Sequence, residues 1–257
     1  MPKYTIYKFI LRYFLSSLIL LIIWGIITTL FNLPNYILPN PKSVILKIVT
    51  ENSYFLKSTI ATLKNAGLGA LFGIGFGLLL GITISYSERV KKIIEPYLVI
   101  FQSFPKEVLF PLFVVWFGFG ATTKVINSAI LAFLPIATVT ASAMSNVRNE
   151  YLELVRGWGA TKFQEFIKLR IPYAIPQILG GLKVALPLSL IGAVLGEFLG
   201  GNIGLGHIII SSGATFKTDR LFGAVLILGI IGIIIHAILE IVNQTYLKKY
   251  YDEQSPP

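Results

Sequence analysis

The sequence predicts an all-α integral membrane protein with six transmembrane helices and both termini cytoplasmic. Three observations carry this: a scarcity of charge, a series of charge-free stretches, and an uneven division of Lys and Arg between the loops. Charged residues make up 13% of the chain and hydrophobic ones 54%, whereas soluble domains run near a quarter charged. That leaves too few polar side chains to cover a globule of 257 residues, a demand that a bilayer removes. Zero cysteines exclude disulfides, thiolate chemistry and sulfur-ligated metals. A net charge of +10 fits Lys and Arg retained on the cytoplasmic face better than a nucleic-acid partner.

A helix needs about 20 apolar residues to cross the hydrocarbon core. Residues 13–41, 65–87, 125–147 and 221–239 contain no charge and reach that length. The first span is placed at roughly residues 10–31, retained rather than cleaved as a signal peptide, because the apolar run is too long and no clear small-residue cleavage site follows. The external loop after it contains LPNYILPNPKSVI, read as an ordered proline-rich loop, with a short surface helix within residues 43–57. Two further stretches are interrupted. Residues 96–123 contain Lys106 and Glu107, and residues 171–200 contain Lys183 and Glu197. With six spans, one side collects thirteen Lys and Arg and the other seven, so the richer side is cytoplasmic. The whole chain, 1–257, is one transmembrane domain.

Span two carries Gly69, Gly73, Gly77 and Gly81, a smooth stripe on one helix face. Such stripes let helices approach closely in lipid, either within the subunit or between subunits. In the third span, Phe101, Gln102, Ser103, Phe104, Pro105, Lys106 and Glu107 combine charge with a helix-breaking proline. Intramembrane charge defaults to a functional role, and broken helices at membrane depth line cavities or lie buried in protein. This segment is therefore expected to border a translocation pathway. Neighbouring residues on a helix do not face one another, so Lys183 and Glu197 are the opposite charges available to pair with Glu107 and Lys106. The alternative is that these charges snorkel to the membrane faces. Glu197 divides between a gating role and a structural one. His207 and His236 have no ligand spacing around them, so no metal site is expected; His236 and Glu240 are one turn apart and within hydrogen-bonding reach.

The loop between spans four and five, NEYLELVRGWGATKFQEFIKLRIPYAIP, runs from Asn149 to Pro176. Tyr151 to Val155 form one short helix, which Gly157 and Gly159 break. Thr161 and Gln164 have capping-box spacing. Phe163, Phe166 and Ile167 share a face of the helix that follows, and Pro172 marks its boundary with the next span. Helix, turn, amphipathic helix is either a surface loop or a docking element for a cytoplasmic partner.

This loop, at about residues 148–170, resembles the signature loop of binding-protein-dependent ABC importer permeases, in which Glu-Ala-Ala is followed by a glycine and then by Ile-x-Leu-Pro. Glu153, Leu154 and Val155 take the triplet; Gly159 follows at the family spacing with Ala160 and Thr161 after it; Leu169, Ile171 and Pro172 complete the pattern. The resemblance covers roughly residues 35–248. Through LPNPKSVI, SFPKEVLFPLFVVWFGFG, GLKVALPLSLIGAVLGEFLG, GLGHII and KTDRLFGAVLILGIIG it is nearest the nitrate, sulfonate and taurine branch.

The resemblance implies a permease subunit of the cell (inner) membrane, forming the pathway for a small polar solute. Its implied partners are a cytoplasmic ATPase subunit that uses ATP and Mg²⁺, a second permease subunit, an extracytoplasmic binding protein, and membrane lipid, with no nucleic acid. The chain itself has no phosphate-binding Gly-Lys sequence and no hydrolase triad, so no bound cofactor and no enzyme activity of its own are expected. An ion-coupled secondary transporter is the competing reading.

Overall fold

The computed structural model describes residue 15 and residues 18–252, with side chains to residue 245. The basic N-terminal residues and the start of the first expected helix lie outside the described residues. Among those described, every regular element is helical: α1 (Leu18–Leu30), α2 (Pro41–Thr50), α3 (Asn52–Tyr86), α4 (Glu88–Ser103), α5 (Phe110–Phe117), α6 (Ala121–Ser145), α7 (Asn149–Gly157), α8 (Lys162–Glu165), α9 (Ile171–Gly200), α10 (Leu205–Ala214) and α11 (Thr218–Asp252).

α3, α6, α9 and α11 are long and apolar enough to cross a membrane, and α9 does so as a single run with α8 from Lys162. α4 and the segment Lys106–Phe117 together make a fifth candidate, bent by 86° between them. The break falls at Phe104 and Pro105, both extended, before a 3₁₀ turn at Lys106–Leu109. Proline lacks the N–H that would continue the helix.

The centre is a sheaf of α3, α6 and α9. The glycine stripe of α3 faces α6: a Cβ at Gly69 would strike Ser128, at Gly73 Ala129 and Ala132, at Gly77 Phe133 and Ile136, and at Gly81 Ala137 and Thr140. Both number series rise together, so α3 and α6 run parallel. α9 lies antiparallel against the same α6, with Gly181 at Val139, Gly192 at Asn127 and Gly196 at Lys124. Close backbone approach through small residues is the packing device that lipid favours. Ser128 joins all three helices, its hydroxyl donating to the Ser189 carbonyl at 2.8 Å with the Ala66 carbonyl at 3.3 Å.

Three local expectations are corrected. The segment expected as proline-rich loop enters a helix at Pro41, because Asn40 caps it by accepting from the Lys42 N–H at 2.9 Å and proline fits the first turn. α3 begins at Asn52, well before its charge-free stretch. Pro172 does not end a helix: a π turn at Phe166–Arg170 leads directly into α9, and the wider turn absorbs the proline's missing donor. The short helix α10 was not anticipated.

Candidate functional site

The loop between α6 and α9 is built around one carboxylate. α7 spans Asn149–Gly157, so Gly157 ends the helix rather than breaking it earlier. Gly159 carries the turn at φ +77°, a left-handed conformation that favours glycine. Thr161 then opens α8 with both arms of the capping box: its hydroxyl accepts from the Gln164 N–H at 3.3 Å, and the Gln164 side-chain oxygen accepts from the Thr161 N–H at 2.9 Å.

Glu165, 5% exposed, takes Arg156 Nε at 2.8 Å and Arg170 Nε and Nη2 at 2.9 and 2.8 Å. Arg170 also donates through Nη1 to the Met144 carbonyl in the last turn of α6 at 3.1 Å. The carboxylate therefore ties α7, α8 and the end of α6 together with charge-assisted bonds, the stronger class. Arg156 is held further toward its charged form by the bond to Glu165. Sequence reasoning missed this residue; two arginines flanking a glutamate in a Gly-containing loop were the available signal.

Phe166 packs edge-on against Tyr86 at 5.4 Å and joins Ala143, Met144 and Ala174 in a buried cluster. Phe163 and Ile167 instead point outward, as do Leu154 and Trp158, the last 80% exposed. The expected common face of Phe163, Phe166 and Ile167 is thus split, because the inward side is taken by Glu165 and Phe166. Glu153 is exposed, while Val155, Ala160, Leu169, Ile171 and Pro172 are half-buried.

The intramembrane charges do not pair as expected. Lys183 Nζ donates to Glu240 of α11 at 2.6 Å, not to Glu107, and Glu240 also accepts from Gln244 at 2.8 Å. Glu197, 1% exposed, takes the Thr62 hydroxyl at 2.9 Å and the Gly206 N–H at 2.9 Å. The same Thr62 oxygen accepts from the Leu205 N–H at 2.9 Å. Gly204, at φ +135°, leaves the space that the carboxylate occupies. Glu197 thus stitches the first turn of α10 to α3. Gly206 is a near neighbour in sequence, but antiparallel packing brings in Thr62 from α3, 135 positions away. Phe101, Gln102, Ser103, Phe104, Pro105 and Glu107 lie exposed along the break after α4, with Lys106 half-buried there.

The described sheaf has counterparts. Residues 73–249 match the model of the binding-protein-dependent transport system inner membrane component family. The chain belongs to that family. It is 35% identical over 221 residues to the formylaminopyrimidine transport permease of Halalkalibacterium halodurans, covering 86% of this chain and 88% of that protein. It is 27% identical over 224 residues to the taurine transport system permease of Escherichia coli, covering 84% and 82%. Among solved structures, a methionine ABC transporter in an inward-facing conformation matches with a TM-score of 0.67 at 19% identity, over 75% of this chain and 95% of that one. A second match is an amino acid ABC transporter, at TM-score 0.63 and 21% identity, over 79% and 97%; at these identities both speak for the fold. The permease is accordingly a multi-pass cell-membrane protein and a subunit of an ABC importer for a small solute. It is a transport component rather than an enzyme, and nothing in its relatives favours the ion-coupled carrier.

Proposed function

We propose that the permease pairs with a second permease subunit to enclose the pathway for a small polar solute, handed over by an extracytoplasmic binding protein. It crosses the membrane six times with both ends cytoplasmic, and it docks a separate ATPase through α7 and α8. That ATPase binds and hydrolyses ATP with Mg²⁺, while this chain holds no cofactor. Relatives named as formylaminopyrimidine and taurine transport permeases support a small polar cargo.

The observation that carries the docking proposal is the shape of the loop. Leu154, Trp158 and Phe163 are exposed apolar side chains on a short helix-turn-helix that Glu165 holds rigid from within. Large aromatic groups on a pre-organised surface are the usual anchors of protein interfaces. Under the same proposal, the break from Phe101 to Glu107 borders the path, while Lys183 and Glu197 support it from behind.

The test is co-purification of the ATPase with affinity-tagged permease. Glu153→Lys and Gly159→Asp should each abolish it, the second because a side chain is forced onto the φ +77° turn. Trp158→Ala, which leaves the loop's backbone intact, should weaken it by about 2 kcal/mol or more. Undiminished association and transport in all three variants would remove the docking role.

A further inference from the structure

Two polar stripes face each other where α4 leans on α6. On α4, Lys91, Glu95 and Gln102 recur at helical spacing; on α6, Thr138, Ser142 and Ser145 do the same. Between them lies a cleft of about 390 Å³, within the size range of small-molecule sites. Its deep end is closed by Gln102, whose Nε2 donates to Thr138 Oγ1 at 2.8 Å. The other end is lined by Lys91, Ser145 and Asn146, beside the start of α4 and the end of α6.

Exposed amides and hydroxyls at this depth are costly against hydrocarbon and are tolerated where they line water or protein. The outward face of α4 shows the contrast, since Ile93, Tyr97 and Ile100 present the apolar surface that lipid or a neighbouring helix requires.

We infer that this cleft is the cytoplasmic half of the path and that it accepts a net-neutral, hydrogen-bonding solute. The inference rests on the permease reading above. The deep end offers one amide and one hydroxyl and no formal charge. The outer part carries one positive and one negative side chain a turn apart, so an ion of either sign meets as much repulsion as attraction. A net-neutral solute with several donors and acceptors meets partners along both polar stripes, with Ile84, Leu98, Val99 and Ala141 lining the rest of the cleft. The Gln102–Thr138 bond is the constriction it displaces.

The absence of native cysteine makes the test direct. Thr138→Cys, Ser142→Cys and, on the exposed apolar side of α3, Leu71→Cys are introduced singly into the assembled transporter. Each thiol is treated from the cytoplasmic side with uncharged methyl methanethiosulfonate and with anionic sulfonatoethyl methanethiosulfonate. Rates are divided by those of free mercaptoethanol. A thiol reacts as its thiolate, which needs water, so Thr138 and Ser142 should react about ten-fold or more faster than Leu71 with the uncharged reagent. The anionic reagent should lag at Thr138. Rates equal to that of Leu71 would overturn the water-filled cleft. A faster anionic reagent would overturn the net-neutral class.

Full labelling at Thr138 should also block ATP hydrolysis stimulated by the binding protein. Unchanged hydrolysis would overturn the cleft's place on the path. Retained ATPase co-purification in every cysteine variant keeps these outcomes separate from failure of the docking reading.

Discussion

Glu197 and Glu165 are buried carboxylates on each of which several polar bonds converge. Removing the first strands a buried N–H at Gly206 and leaves the Thr62 hydroxyl only the Ser58 carbonyl, at 3.1 Å, to donate to. Glu197→Ala should therefore cost about 1–3 kcal/mol, read as a lower thermal midpoint of the detergent-solubilised protein. Glu197→Gln keeps one acceptor oxygen and should recover much of that loss. Equal midpoints for Glu197→Ala and the parent would show that the stitch to the first turn of α10 contributes nothing. Glu197 itself was visible in the sequence as a charge within an apolar stretch, but its partners were not. Thr62 and Glu197 are 135 positions apart, and hydrophobic periodicity does not report which polar groups meet across packed helices.

At the scale of elements, the glycine stripe of α3 was legible because a four-residue repeat needs only the helix geometry. Its partner was not, since the same stripe serves a contact inside or outside the subunit, and the structure lays it on α6. Gly77 has the Phe133 carbonyl 2.7 Å and Ile136 Cβ 3.0 Å from where a side chain would begin. Gly77→Val should cost about 1–3 kcal/mol by overpacking, whereas Gly75→Val, where nothing lies within 4 Å, should be near neutral. Comparing the two midpoints checks the assignment. The loop of α7 and α8 was legible in its caps and its glycines. The buried Glu165 escaped because a charged residue in a polar loop reads as solvated until two arginines from flanking elements are seen to close on it.

Across the whole molecule, the chain's early and late parts are joined at the end opposite the loop of α7 and α8. Arg220 of α11 donates to Glu51, between α2 and α3, with Nη2 to Oε1 at 2.6 Å, and Lys47 adds a contact at 3.2 Å. Trp24 of α1 stacks near Phe222 at 5.4 Å. The Arg220 bond holds the Glu51 carboxyl below its ordinary range, with Lys47 assisting against the opposing effect of burial. A carboxyl depressed in the folded state stabilises at neutral pH, and that contribution is lost as pH falls through its lowered value. The half-exposed tie is worth about 1 kcal/mol. Glu51→Gln should thus lower the midpoint at neutral pH and show a shallower loss of stability on acidification than the parent. Parallel pH profiles would overturn the tie.

The parallel contact of α3 with α6 carries a consequence for biogenesis. Ser128 reaches Ala66 across 62 positions, and α4 with α5 must return the chain across the bilayer before α6 can arrive. During synthesis α3 therefore enters lipid with its glycine face uncovered, waiting for a helix not yet made. The most extensive helix contact among the described residues is closed late, and a chain stalled before α6 exposes that bare face to whatever membrane neighbour comes first.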